Sequence, residues 1–94
     1  MTVLLVLALY DNRHMKILKF SAEWCTPCKQ MTKWLSTQGY DHDIVEVPIE
    51  TNQELVQIYG VRSVPTLIML DEENNVKKTI VGFNIPRLEA FLQI

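Results

Sequence analysis

The order of apolar runs and turn signals predicts an α/β domain, β-α-β-α-β-β-α from Met15, with a central mixed sheet flanked by helices. Three observations carry this. Short runs rich in branched and aromatic residues fall at 16–21, 44–49, 66–70 and 76–81. Gly39 and Gly60 each close a longer amphipathic run, and Pro27 and Pro86 sit where helices would begin. The stretch Asp71-Glu72-Glu73-Asn74-Asn75 is a polar turn between the last two apolar runs, as in a hairpin.

The elements follow in order. Residues 2–10 (Thr-Val-Leu-Leu-Val-Leu-Ala-Leu-Tyr) are too short an apolar run to span a bilayer, and lack the charged start and small-residue cleavage site of a secretory signal. They read as a buried strand on an extension, 1–14, ahead of a domain at 15–94. Residues 16–21 form the first core strand, and Cys25 to about Gln38 the helix after it, with Pro27 in the first turn and Gly39 just past the end. Ile44–Ile49 is a second strand, and Pro48 places its end at an edge or bulge. Thr51-Asn52-Gln53-Glu54 fits a capping box, with Thr51 as N-cap, for a short helix that stops at Gly60. Thr66–Leu70 and Val76–Val81 are strands. Asn84 caps a last helix, Ile85–Gln93, with Leu88, Phe91 and Leu92 on one face. Two β-α-β units predict parallel strands joined by right-handed crossovers, and the hairpin adds an antiparallel edge.

Composition narrows the function. Ninety-four residues make one domain with a modest core, and 48% apolar with 21% charged residues is ordinary for a globular chain. A net charge of −2 supplies no basic footprint for nucleic acid. Two cysteines are too few for a disulfide-stapled secreted fold; two residues apart near a β-α-β pattern, they point to redox chemistry in a reducing compartment, hence the cytoplasm. His14 and His42 are distant from the cysteines and from each other, so no metal site is expected, and Asp41-His42-Asp43 reads as a solvated loop. Met31, Met69 and the aromatics read as core.

The chemistry concentrates in Trp24-Cys25-Thr26-Pro27-Cys28-Lys29. A Cys-x-x-Cys at a strand-to-helix junction puts the first sulfur at the positive end of a helix dipole, which favours the thiolate and pulls the thiol pKa down. The second sulfur lies one turn on, close enough to close a disulfide.

With Trp-Cys-x-Pro-Cys after the first core strand, the chain resembles the thioredoxin family. A second match is independent of the cysteines: Tyr59-Gly60-Val61-Arg62-Ser63-Val64-Pro65-Thr66-Leu67 is similar to the family segment that ends in a cis-proline. Gly82 and Leu88-Glu89-Ala90-Phe91-Leu92 extend the likeness, which covers about residues 15–93. The resemblance implies a protein-disulfide reductase. Cys25 would be the exposed nucleophile and Cys28 the buried resolving thiol. Trp24 would shield the site and touch partners, and Pro27 would stiffen the turn. Pro65 would pack against the sulfurs and leave the Val64 backbone free to pair with an extended substrate, and Gly82 would keep the groove open. No bound cofactor is implied. The partners would be disulfide-containing proteins and a thioredoxin reductase drawing on NADPH, with no nucleic acid and no membrane. The chain would be a monomer unless residues 2–10 pair two copies.

The departures from the family are informative. Lys19 stands where a buried Asp is usual, six residues before the nucleophile, and Glu46 stands where its neighbour is usually Lys. A swapped pair beneath the dithiol is therefore expected, because an unpaired buried Lys is costly. Lys19 would favour thiolate at Cys28, and Glu46 would relay its proton through water. Strand alternation turning one or both groups to solvent, where they do nothing, is the alternative. Lys33 replaces a helix-kinking proline, so the first helix should be straighter, and the segment from Cys28 to the second strand is about four residues short of the family's, so that helix should lose a turn. Thr26 replaces a commoner Gly between the cysteines. The aromatic that the family often carries near Ser21 is missing, and Trp34 would pack from the helix in its place. Fourteen residues cannot supply the family's preceding β-α unit, so 2–10 would pair antiparallel at the edge of the 44–49 strand. Such trimmed chains resemble thioredoxins carried by bacteriophages, which would act in the host cytoplasm. Two other functions stand beside the reductase: a glutaredoxin-like, glutathione-dependent enzyme, whose glycine pair is missing here, and a thioredoxin-fold interaction subunit.

Overall fold

The computed structural model describes residues 16–40 and 44–93. The expected strand at 2–10, the boundary at Met15, His14 and the loop Asp41-His42-Asp43 lie outside them. The order is β1 (Lys16–Ser21), α1 (Thr26–Thr37), β2 (Ile44–Pro48), α2 (Gln53–Ile58), β3 (Thr66–Leu70), β4 (Val76–Val81) and α3 (Ile85–Leu92). The four strands form one sheet in the order β2-β1-β3-β4.

Helix length decides strand direction. Twelve residues of α1 span about 18 Å, close to the roughly 20 Å of a six-residue strand. The chain thus returns to the start of the sheet, and β2 runs parallel to β1 with Lys19 opposite Glu46. The second crossover differs from the sequence expectation, because β3 runs antiparallel to β1. The six residues of α2 span only about 9 Å, too little to travel back along a strand. That reach equals about two strand spacings of 4.8 Å, enough to step sideways over β1 and enter β3 from the same end. The β3–β4 hairpin is antiparallel, as its turn signal required.

Alternation along β1 gives each face its own core. Ile17 packs with Met31 and Leu35 of α1, Leu67, Ile80, and Leu88, Phe91 and Leu92 of α3. Trp34 joins this α1/α3 core. Leu18 and Phe20 point the other way and pack with Val47, Ile68 and Leu70 under Leu55, Val56 and Tyr59. The Phe20 and Tyr59 rings meet edge to face at 6.1 Å.

Local signals explain most boundaries. At the end of α1, Gly39 takes φ +81. Its N–H donates to Ser36 O and that of Tyr40 to Leu35 O, closing a Schellman motif. Asn84 Oδ1 accepts from the Arg87 N–H and caps α3. The capping box on Thr51 does not form. Asn52 is the N-cap of α2, without a side-chain cap. The turn after Pro48 is the cause: the Thr51 N–H donates to Pro48 O, and the Asn52 side-chain amide donates to Pro48 O and Thr51 Oγ1. The Thr51 hydroxyl is thus engaged outside the helix. In the hairpin, Asp71 Oδ1 accepts from the N–H groups of Glu73 and Asn75. The backbone N–H of Asn75, above all, holds the Asp71 carboxyl below its ordinary range.

Candidate active site

β1 ends at Ser21, and residues 22–25 turn the chain into α1, with the Cys25 N–H donating to Ala22 O at 3.1 Å. This loop is tied to the end of β2, where Glu50 Oε2 accepts the Glu23 N–H at 3.0 Å. Cys25 is the N-cap of α1, and its Sγ accepts the Cys28 N–H at 3.1 Å. An orphan N–H of the first turn therefore points at the sulfur where the helix dipole is positive, and both effects favour a thiolate there. Pro27 falls in that first turn, where a missing N–H costs nothing.

Cys25 and Cys28 are joined as a disulfide with Cα atoms 5.2 Å apart, inside the usual range for such a bond. Cys25 is not the exposed sulfur expected from the sequence. Both cysteines are buried, Cys25 at 4% exposure. Ala22, Ile49 and Val64 enclose the pair, and the side chain that stands in solvent is Trp24, at 71%. A narrow approach to a sulfur beside a broad apolar ring is the result.

The opposite wall is the segment before β3. The Val64–Pro65 peptide bond is cis, Pro65 is fully buried and Val64 is the residue packed against the cysteines. Gly82, with φ +86, donates its N–H to Pro65 O at 2.8 Å. A Cβ at that position would meet nothing within 4 Å. Val64 thus reaches the dithiol from nearly forty residues away, and Gly82 is tied to the cis-proline segment beside it.

Lys19 and Glu46 also come together. Lys19 Nζ lies 3.1 Å from Glu46 Oε1 and 3.4 Å from Oε2. The Lys19 side chain is 2% exposed and that of Glu46 48%. The two side chains share one face of the sheet; Lys19 stands on the inner strand β1 and is buried, while Glu46 stands on the edge strand β2 and reaches water. Ser21 Oγ donates to Glu46 Oε2 at 3.1 Å. Sequence reasoning had not assigned Ser21 this contact, although its place two residues from Lys19 on one strand put it on the same face. Glu50 was missed as well; it acts between loops, where no periodicity signals it. Lys19, Glu46 and Cys28 line one cleft of about 540 Å³ between α1 and the end of β2.

Among the described residues, no group of three or more His, Cys, Asp or Glu could hold a metal ion, and no helix is long and apolar enough to cross a membrane.

Residues 7–93 match the family model Thioredoxin. A thioredoxin of Pseudomonas aeruginosa is 37% identical over 81 residues, covering 81% of this chain and 74% of that protein. Thioredoxin H5 of Oryza sativa is 36% identical over 81 residues, and the match spans 83% of this chain but 60% of the rice protein. Among solved structures, Fasciola hepatica thioredoxin superposes with a TM-score of 0.77 over 98% of this chain and 90% of its own, at 19% identity. Reduced Schistosoma mansoni thioredoxin gives 0.75 over 97% and 88%, at 22% identity.

Proposed function

The chain belongs to the thioredoxin family, and from that membership we propose that it is a thiol-disulfide oxidoreductase that reduces protein disulfides. The observation that carries this reading is the Cys25–Cys28 disulfide at the N-terminus of α1, bracketed by exposed Trp24 and the cis Val64–Pro65 segment. In the reduced protein, the Cys25 thiolate attacks a substrate disulfide, forming a mixed disulfide and expelling the first substrate thiolate. Cys28, deprotonated, then attacks Cys25 Sγ, re-forms the internal disulfide and releases the second substrate thiolate. Two electrons pass to the substrate, and the released thiolates take up protons. Trp24 offers the substrate apolar area, and the Val64 backbone pairs with its extended chain. A thioredoxin reductase drawing on NADPH restores the dithiol, in a reducing compartment such as the cytoplasm.

The test is reduction of insulin with two donors. Turnover with NADPH and thioredoxin reductase, lost in Cys25→Ser, supports the reading. Turnover with glutathione alone indicates the glutaredoxin-like alternative, and no turnover with either leaves the interaction subunit.

Gly82→Val tests the groove. A side chain at φ +86 costs about 1–2 kcal/mol of stability, read from the denaturant midpoint. It also projects beside the cis-proline segment. We expect KM for insulin to rise several-fold, while the rate of Cys25 with a small aromatic disulfide stays near wild type. Equal loss on both substrates would refute the groove assignment.

A further inference from the structure

We propose that Lys19, restrained by Glu46, is a positioning residue that stabilises the Cys28 thiolate and so makes the Cys25–Cys28 couple less reducing than it would be without that charge. The inference deepens the reductase reading and rests on it.

The asymmetry of the pair is the basis. Lys19 is buried on the β1 face that α1 covers, in the cleft that Cys28 also lines. Glu46 reaches water with half its side chain. Solvent screens the carboxylate far more than the ammonium, since Coulomb energy scales inversely with local dielectric. The two charges therefore do not cancel inside the protein, and the field at Cys28 is net positive. The other charged groups on the cleft are Glu23 from the β1–α1 loop, Lys29 from α1 and Glu50 from the β2–α2 loop. All three are exposed and hence screened, and Glu50 is also engaged by the Glu23 N–H. Lys19 is the buried charge among them.

A positive field lowers the free energy of thiolate against thiol, and of the reduced, deprotonated protein against the neutral disulfide. Stabilising the reduced form raises the potential toward the oxidising side. In the resolving step the Cys28 proton leaves to water in the open cleft, and the Cys28 electron pair forms the bond to Cys25 as the bond from Cys25 to the substrate sulfur breaks. Glu46 holds the lysine in place and moderates its field.

The two members of the pair should therefore have opposite effects. Lys19→Met removes the cation, so Cys28 should form thiolate at higher pH and the dithiol should become a stronger reductant. Glu46→Gln removes the moderating anion and should do the reverse. Ultraviolet thiolate titration in a Cys25→Ser background reads the first property, and equilibration of the intact dithiol with glutathione reads the second. We expect each variant to move the redox equilibrium constant by about tenfold, or about 30 mV for two electrons, in opposite directions, with Lys19→Arg close to wild type. Shifts of the same sign, or none, would overturn the inference; a merely structural pair would lower stability in both variants without separating their potentials. If Lys19→Met does not fold, the upward shift in Glu46→Gln, altered at a half-exposed side chain, decides alone. Neither measurement needs a protein substrate. Both therefore stand even where insulin is not reduced, which keeps this failure separate from that of the reductase reading.

Discussion

Cys28→Ser is expected to abolish multiple turnover while leaving the first half of the reaction intact. The mixed disulfide on Cys25 is resolved by a sulfur one helical turn away, already held by the α1 backbone with the Cα atoms 5.2 Å apart. Effective molarities for well-oriented intramolecular attack reach about 10⁵ M or more. Millimolar external thiol is no substitute, so turnover should fall on the order of a thousandfold or more. The measurement pairs steady-state insulin reduction with a mass of the trapped adduct. One equivalent of substrate should remain bound through Cys25, releasable by a strong dithiol. Continued turnover would mean that resolution comes from another molecule. Cys25→Ser, by contrast, should trap nothing, because Cys28 lies inside α1 and lacks the N-cap position at which the first-turn N–H and the helix dipole favour a thiolate.

Much of this arrangement is legible in local sequence. The Cys-x-x-Cys run, its proline, and the Gly39 and Asn84 helix boundaries each depend on a few neighbouring residues, and the structure has them where the sequence places them. The pairing of Lys19 with Glu46 was legible through the family resemblance and not from any local pattern; the parallel register of β1 and β2 sets the two opposite one another.

What local sequence did not carry is global geometry. The reversed direction of β3 follows from the short reach of α2, a comparison of lengths across three elements and not a residue preference. The failed Thr51 cap depends on hydrogen bonds reaching back to Pro48. Burial of Cys25 depends on Val64 arriving from a segment nearly forty residues away. Glu50 holds the active-site loop through a single bond to a backbone N–H, which no pattern in the chain announces.

The neighbour of Lys19 on β1 separates stability from chemistry. Phe20 is fully buried, on the opposite face of the sheet, against Tyr59 and the Val47, Ile68 and Leu70 cluster. Truncating it removes a large transfer term and leaves a cavity between the sheet and α2, so Phe20→Ala should cost about 3–5 kcal/mol. Against the roughly 5–15 kcal/mol that holds a domain together, that is enough to leave part of the population unfolded at moderate temperature. The denaturant midpoint should fall sharply with little change in slope. Yet Phe20 lies across the sheet from the cleft that holds Cys28 and Lys19, and it carries no charge. Measured on the folded fraction, the glutathione equilibrium of Phe20→Ala should match wild type, whereas the Lys19 and Glu46 variants should move it in opposite directions. A large shift in potential from Phe20→Ala would mean that the dithiol responds to packing in general, and the electrostatic role of Lys19 would lose its support. An unchanged potential in a strongly destabilised protein would assign the two faces of one strand to different work: Phe20 to the core, Lys19 to the sulfurs.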